Sequence, residues 1–182
     1  MRLIVGLGNP GDKYAKTRHN AGWLALDAFL PAARWQEEKR FSALIAKEGG
    51  DVFAKPLTFM NDSGRSVKKI LSYYQLLPKS LGIIRKKDAD LKDVLLVVHD
   101  DLDIPFGQIK LSAGSGSAGH RGVESIISHL KTKNFLRLRL GIGNEKLRQT
   151  IPADKFVLQP FDREEQAALP GIFRQIDLSN LK

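Results

Sequence analysis

Four histidines and no cysteine occur in the chain, so thiolate chemistry is excluded and any nucleophile must be a hydroxyl, a carboxylate, a lysine or an activated water. His19 stands in a polar loop between Arg18 and Asn20, outside any apolar pattern. An imidazole of ordinary pKa, about 6.5, is largely neutral at pH 7 and can take a proton from water, particularly when a carboxylate orients its second nitrogen. Asp100 offers such a carboxylate at the end of an apolar run, but it is distant in sequence and spacing alone does not join the two. His99, Asp100, Asp101 and Asp103 form a rival set, ligands of a divalent ion in a metallohydrolase. Consecutive strand residues point to opposite faces, which argues against His99 and Asp100 sharing one ion. A capped turn closing the strand would use the same letters. His129 falls off the apolar face of its segment and reads as solvated.

Two glycine runs invite a second class of chemistry. Gly6-x-Gly8-x-x-Gly11 spells the dinucleotide-binding fingerprint and follows an apolar run, making a nicotinamide or flavin enzyme a rival. That fingerprint needs a helix opening within the glycines and an acidic residue ending the next strand, whereas Gly11 to Asn20 lacks helical periodicity and Asp27 lies inside a helical pattern. What remains is Asn9-Pro10-Gly11: proline restricts Asn9 to extended geometry and so aims its amide, although a plain turn has the same composition. Gly114 to Gly119 lies between a strand and a helix without a P-loop lysine; it reads either as an anion cradle at a helix start or as a flexible loop.

The elements that must position these residues follow from periodicity. Arg2 to Leu7 and Val94 to Val98 are apolar runs expected of buried strands, the second leading directly into His99 to Asp103. Phe41 to Ala46 and Val52 to Lys55 read as strands joined at Gly49-Gly50. Gln108 to Ser112 is another strand, and Leu136 to Ile142 alternates with Arg137, Arg139 and Gly141 as a half-covered one. Helical spacing runs over Ala21 to Leu30, over Ser63 to Leu77 with Asn61, Asp62 or Ser63 as N-cap, and over Val123, Ile126, Ile127 and Leu130. Leu81 to Lys92, carrying Arg85-Lys86-Lys87, reads as a surface excursion, solvated or touching RNA. Strands and helices interleave throughout, which predicts an α/β fold with a mixed central β-sheet flanked by helices, residues 1–182 forming a single domain.

Composition narrows the partners. Lys and Arg number 29 against 20 Asp and Glu, a formal charge of +9, which favours a polyanion through phosphate contacts and counterion release. No stretch approaches a membrane span and the N-terminus lacks a signal-peptide layout, so a cytoplasmic protein is expected.

Together the segments resemble bacterial peptidyl-tRNA hydrolase. Gly6-Leu7-Gly8-Asn9-Pro10-Gly11, Thr17 to Gly22, Thr58 to Gly64, His99 to Asp103 and Arg137 to Gly143 occur in the family's order, and the likeness fades beyond Gly143. The resemblance implies hydrolysis of the ester joining a peptide to the 3′-terminal ribose of tRNA, without cofactor or metal and without an obligate protein partner. It implies that His19 is the catalytic base and Asp100 its carboxylate partner, with Asn9, Tyr14, Met60, Asn61 and Arg121 in the substrate site. Arg139 corresponds to a residue suited to gripping the tRNA 5′ phosphate; the lysine that would join it appears as Ser112, with Lys110 nearby. Arg121 itself departs from the family's usual asparagine, and the excursion at Leu81 and the short region after Asp162 depart too. The same fold also serves organellar RNA-splicing relatives as a binding module, a non-enzymatic alternative that retention of His19 and Asp100 disfavours. A monomer is expected.

Overall fold

The computed structural model describes residues 1–80, 84–85, 88–144 and 150–181. Leu3–Gly6 (β1) is buried along its whole length and pairs in parallel with Asp51–Pro56 (β4) on one side and Leu95–Pro105 (β7) on the other. Leu136–Gly143 (β9) continues the parallel set beside β7, and Ile109–Ala113 (β8) closes that edge antiparallel to β9. Beyond β4, Ala43–Glu48 (β3) and Gln36–Glu38 (β2) run antiparallel, giving the order β2-β3-β4-β1-β7-β9-β8. This is the mixed central sheet that the interleaved patterns predict. Lys79–Ser80 (β5) and Ile84–Arg85 (β6) form a separate antiparallel pair.

Strand alternation divides the core in two. Leu3, Val5, Leu95 and Val97 meet Val67, Ile70 and Leu71 of Ser63–Tyr73 (α2) and Val123 and Ile126 of Arg121–Leu130 (α3). Ile4, Leu96, Val98 and Leu138 face Ala25 and Leu26 of Ala21–Phe29 (α1) and Phe173 of Arg163–Arg174 (α4). Each fully buried aliphatic side chain contributes about 1.5–3 kcal/mol. Because both faces are covered, the central strands read as unbroken apolar runs.

The chain leaves β1 toward β4 and returns to β7 on the opposite side. The crevice above the carboxyl ends of β1, β4 and β7 is thus a topological switch point, where open α/β sheets bind ligands.

The strand expected to stop at Val98 continues through His99–Asp103 to Pro105, with a register shift between Asp101 and Pro105, so the acidic run is strand rather than a capped turn. Helix α2 stops at Tyr73 instead of Leu77 because Gln75 adopts a left-handed φ of 57°. No side chain among Asn61, Asp62 and Ser63 caps it; Asp62 pairs with Arg65 instead, at 2.7 Å. His129 is half-buried, its Nδ1 2.9 Å from the Ser125 carbonyl. In the expected surface excursion Ala89 and Leu91 are core residues, 5% and 1% exposed, while Lys86 and Lys87 lie outside the described residues.

Candidate active site

The cleft at the switch point begins with a close approach of α1 to β1. A Cβ on Gly22 would lie 2.4 Å from the Val98 carbonyl oxygen, and one on Gly6 2.4 Å from the Gly22 carbonyl oxygen. Of the apparent dinucleotide fingerprint, Gly6 serves this close backbone approach, Gly8 makes room for the Trp23 ring, where a Cβ would lie 2.7 Å from it, and Gly11 adopts a positive φ of 101°. Past β1, the Asn9 backbone N–H donates to Asn20 Oδ1 at 2.9 Å, and Asn20 Nδ2 donates to the Asn9 carbonyl at 3.0 Å. Asn9 Oδ1 accepts from the Met60 backbone N–H at 2.8 Å. That bond fixes the amide orientation and turns Nδ2, a donor, toward the cleft.

His19 sits on the turn before α1, and the far end of the chain holds it there. Its backbone N–H donates to the Val157 carbonyl at 2.8 Å and that of Arg18 to the Gln159 carbonyl at 3.0 Å. The Arg18 guanidinium lies over Phe156 and Phe161 and pairs with Glu165 at 2.7 Å, both side chains buried. Removing one partner of such a pair leaves an uncompensated buried charge, costing about 3–5 kcal/mol.

The turn places His19 Nδ1 3.0 Å from each Asp100 oxygen, joining the two residues that spacing could not. Nδ1 therefore carries the proton, and Nε2 is left as an acceptor on the cleft side. Although burial lowers the His19 pKa, the charge and hydrogen bond of Asp100 outweigh it and raise it above the ordinary value; Arg121 opposes this by charge. Burial raises the Asp100 pKa, but His19 and His120 hold it well below the usual carboxylate range.

His120, which the sequence did not single out, completes the cluster. Its Nδ1 accepts from the backbone N–H groups of Gly122 and Val123 at 3.1 and 3.3 Å, capping α3, so Nε2 carries the proton and donates to Asp100 Oδ1 at 3.0 Å. No spacing rule connects position 120 to Asp100.

His19, Asp100 and His120 are the described acid and imidazole groups that could together hold a metal ion, their ligand atoms lying within 4.8 Å of one another. The tautomers oppose that use. For Nε2 of His120 to bind a cation, its proton would have to move to Nδ1, which already faces two N–H donors. The metal set suggested by the sequence fails also on direction: His99 is on the opposite sheet face from Asp100, with its Nδ1 2.7 Å from the Asp100 carbonyl oxygen. Burial first, then the His120 charge, pushes the His99 pKa down to about 3, so it is neutral near pH 7.

A cleft of about 500 Å³ opens over these groups and is lined by Asn9, Tyr14, His19, Met60, Asn61, Asp100 and Arg121 among others. Seven of the nine residues expected in the site thus share it. Phe59, 60% exposed at the same cleft, was not singled out from the sequence. Arg121 is exposed at the first residue of α3.

The remaining two, Arg139 and Lys110, are direct cross-strand partners on β9 and β8. Arg139 Nε donates to Asp101 Oδ2 at 2.7 Å, and Asp101 lines the cleft. Arg137, expected on an open face, is 2% exposed and binds the glycine-rich loop through the carbonyls of Gly116, at 2.7 Å, and Ser115, at 2.6 Å. Burial and the neighbouring Arg139 charge lower its pKa, with Asp101 opposing. This sheet edge therefore concentrates positive charge beside the cleft.

Comparison with known proteins shows the family to which the chain is similar. The family model for peptidyl-tRNA hydrolase matches residues 3–179. The chain is 40% identical to the peptidyl-tRNA hydrolase of Aquifex aeolicus over 180 residues, covering 96% of this chain and 85% of that one. It is 42% identical to that of Lactococcus lactis subsp. lactis over 183 residues, covering 97% and 89%. The crystal structure of peptidyl-tRNA hydrolase from Acinetobacter baumannii superposes with a TM-score of 0.77 at 33% identity, covering 96% of this chain and 83% of that chain. The similarity therefore extends through the C-terminal region, correcting the expectation that it fades beyond Gly143.

Proposed function

The chain belongs to the peptidyl-tRNA hydrolase family, and on that premise we propose that it cleaves its ester by a metal-free, water-mediated reaction in which His19 is the base. The observation that carries this reading is the His19 Nδ1 contact to Asp100, which leaves Nε2 free on the cleft side. Nε2 takes a proton from water, and the oxygen attacks the carbonyl joining the peptide to the terminal ribose. Asp100 stabilises the imidazolium that forms. The tetrahedral intermediate then expels the ribose oxygen, which receives the proton from His19. The products are a peptide carboxylate and a tRNA with a free hydroxyl, and no bond to the enzyme is needed.

Asn9 Nδ2 and the Asn61 amide supply donors for the developing oxyanion or the peptide backbone, while Tyr14 and Met60 shape the cleft around the peptide. Arg139 and Lys110 grip the 5′ phosphate at the acceptor end, a contact that positions RNA without reading its bases. No helix among the described residues is long and apolar enough to cross a membrane.

The test is hydrolysis of N-acetyl-aminoacyl-tRNA against free aminoacyl-tRNA. Efficient cleavage of the first alone supports the assignment. Binding of both without hydrolysis would favour the RNA-binding alternative.

A further inference from the structure

We propose that His120 is a positioning residue for the His19–Asp100 pair: by capping α3 it is locked into the tautomer that donates to Asp100, and through that bond it limits how strongly Asp100 draws a proton onto His19. The proposal rests on the reading of His19 as the base.

Two contacts on one ring make the lock. Nδ1 accepts from Gly122 and Val123 at the N-terminus of α3, where partial positive charge is concentrated. A proton on Nδ1 would set three donors against one another, so the ring keeps its proton on Nε2 and presents it to Asp100 Oδ1 at 3.0 Å. The same oxygen lies 3.0 Å from His19 Nδ1. A carboxylate oxygen shared by two donors holds each less tightly than it would hold one, since each bond disperses part of its charge.

The other groups around His19 do not duplicate this bond. From β7, His99 packs edge-on against the His120 ring, 4.7 Å between centroids, and its Nδ1 bonds to the Asp100 backbone rather than to its carboxylate. From α3, the Arg121 charge opposes protonation of His19 without touching Asp100 among the described contacts. Arg18, adjacent in the chain, is paired with Glu165 of α4. Asp101 is paired with Arg139 of β9, and Asp103 and Asp154 line the outer cleft. His120 is therefore the side chain that shares the Asp100 carboxylate with His19.

Two substitutions separate the cap from the donor. His120→Ala removes both; His120→Asn keeps a good N-cap side chain but is too short to reach Asp100. The free-enzyme pKa of His19 is read by NMR titration of its ring and, independently, from the acidic limb of kcat/KM against pH. Losing one hydrogen bond to Asp100 should raise both values by roughly 0.5–1 pH unit in either variant. Thermal stability should fall in His120→Ala and return toward wild type in His120→Asn. An unchanged or lowered His19 pKa in His120→Asn would overturn the proposal and leave His120 as a helix cap only, even if His120→Ala does not fold. A kinetic limb that fails to track the NMR titration of His19 in the wild-type enzyme would instead refute His19 as the base.

Discussion

Arg139 and Asp101 form an ion pair at 2.7 Å on neighbouring strands, the carboxylate walling the cleft and the guanidinium standing opposite Lys110 at the sheet edge. Asp101 thus ties the orientation of Arg139 to the floor that carries Asp100. In Arg139→Ala, KM for a 5′-phosphorylated substrate should rise about 10- to 100-fold, the range for losing one charge-assisted hydrogen bond, with a smaller change in kcat. The loss should shrink for a substrate lacking the 5′ phosphate. Equal losses with both substrates would assign Arg139 another role.

Arg121 stands exposed at the opening of α3, where its guanidinium and the positive end of the helix dipole together favour an anion, while His120 Nδ1 takes the Gly122 and Val123 N–H groups. If it neutralises an RNA phosphate, Arg121→Asn should flatten the slope of log affinity against log salt by roughly 0.7–0.9. Its charge also opposes protonation of His19, so the same variant should move the acidic limb of kcat/KM to higher pH. Binding across several salt concentrations and a pH–rate profile check the two effects separately. An unmoved slope with altered kcat/KM would place Arg121 on the peptide instead.

His99 predicts a pH dependence of stability. Its folded pKa of about 3 lies below the unfolded value of 6.5, so below pH 6.5 the unfolded chain binds a proton that the folded chain refuses. Stability should therefore fall as pH drops from 6.5 toward 3, with a slope approaching about 1.4 kcal/mol per pH unit from this group. His19 has the opposite sign, its folded pKa being raised. Its contribution is full below 6.5 and fades as pH rises through the folded value. Denaturant unfolding from pH 7 to 4 should show a shallower acid-side loss in His99→Gln than in wild type; parallel curves would contradict the assignment.

Legibility in the sequence followed how local each signal was. The central strands declared themselves because burial on both faces leaves unbroken apolar runs, as in β1 and the start of β7. The continuation of β7 through His99–Pro105 did not, because its inward groups there are polar and belong to the site. Edge strand β2, Gln36–Glu38, carries only polar residues and has no pattern to find. Helix α4 did carry a readable start: Asp162 and Glu165 form a capping box. Glu165 also pairs with Arg18, a contact between opposite ends of the chain that no spacing rule supplies. His19 and Asp100 were singled out by residue type and family likeness, whereas their meeting, and the part of His120 in it, required the fold.

In the proposed reaction His19 acts as base while other residues hold the tRNA. The most direct test is His19→Ala, with single-turnover hydrolysis of N-acetyl-aminoacyl-tRNA measured beside its Kd. The cleavage rate should fall about 10²–10⁴-fold, the usual cost of losing a general base, with Kd within a few-fold of wild type. Near-normal cleavage by His19→Ala would contradict the account.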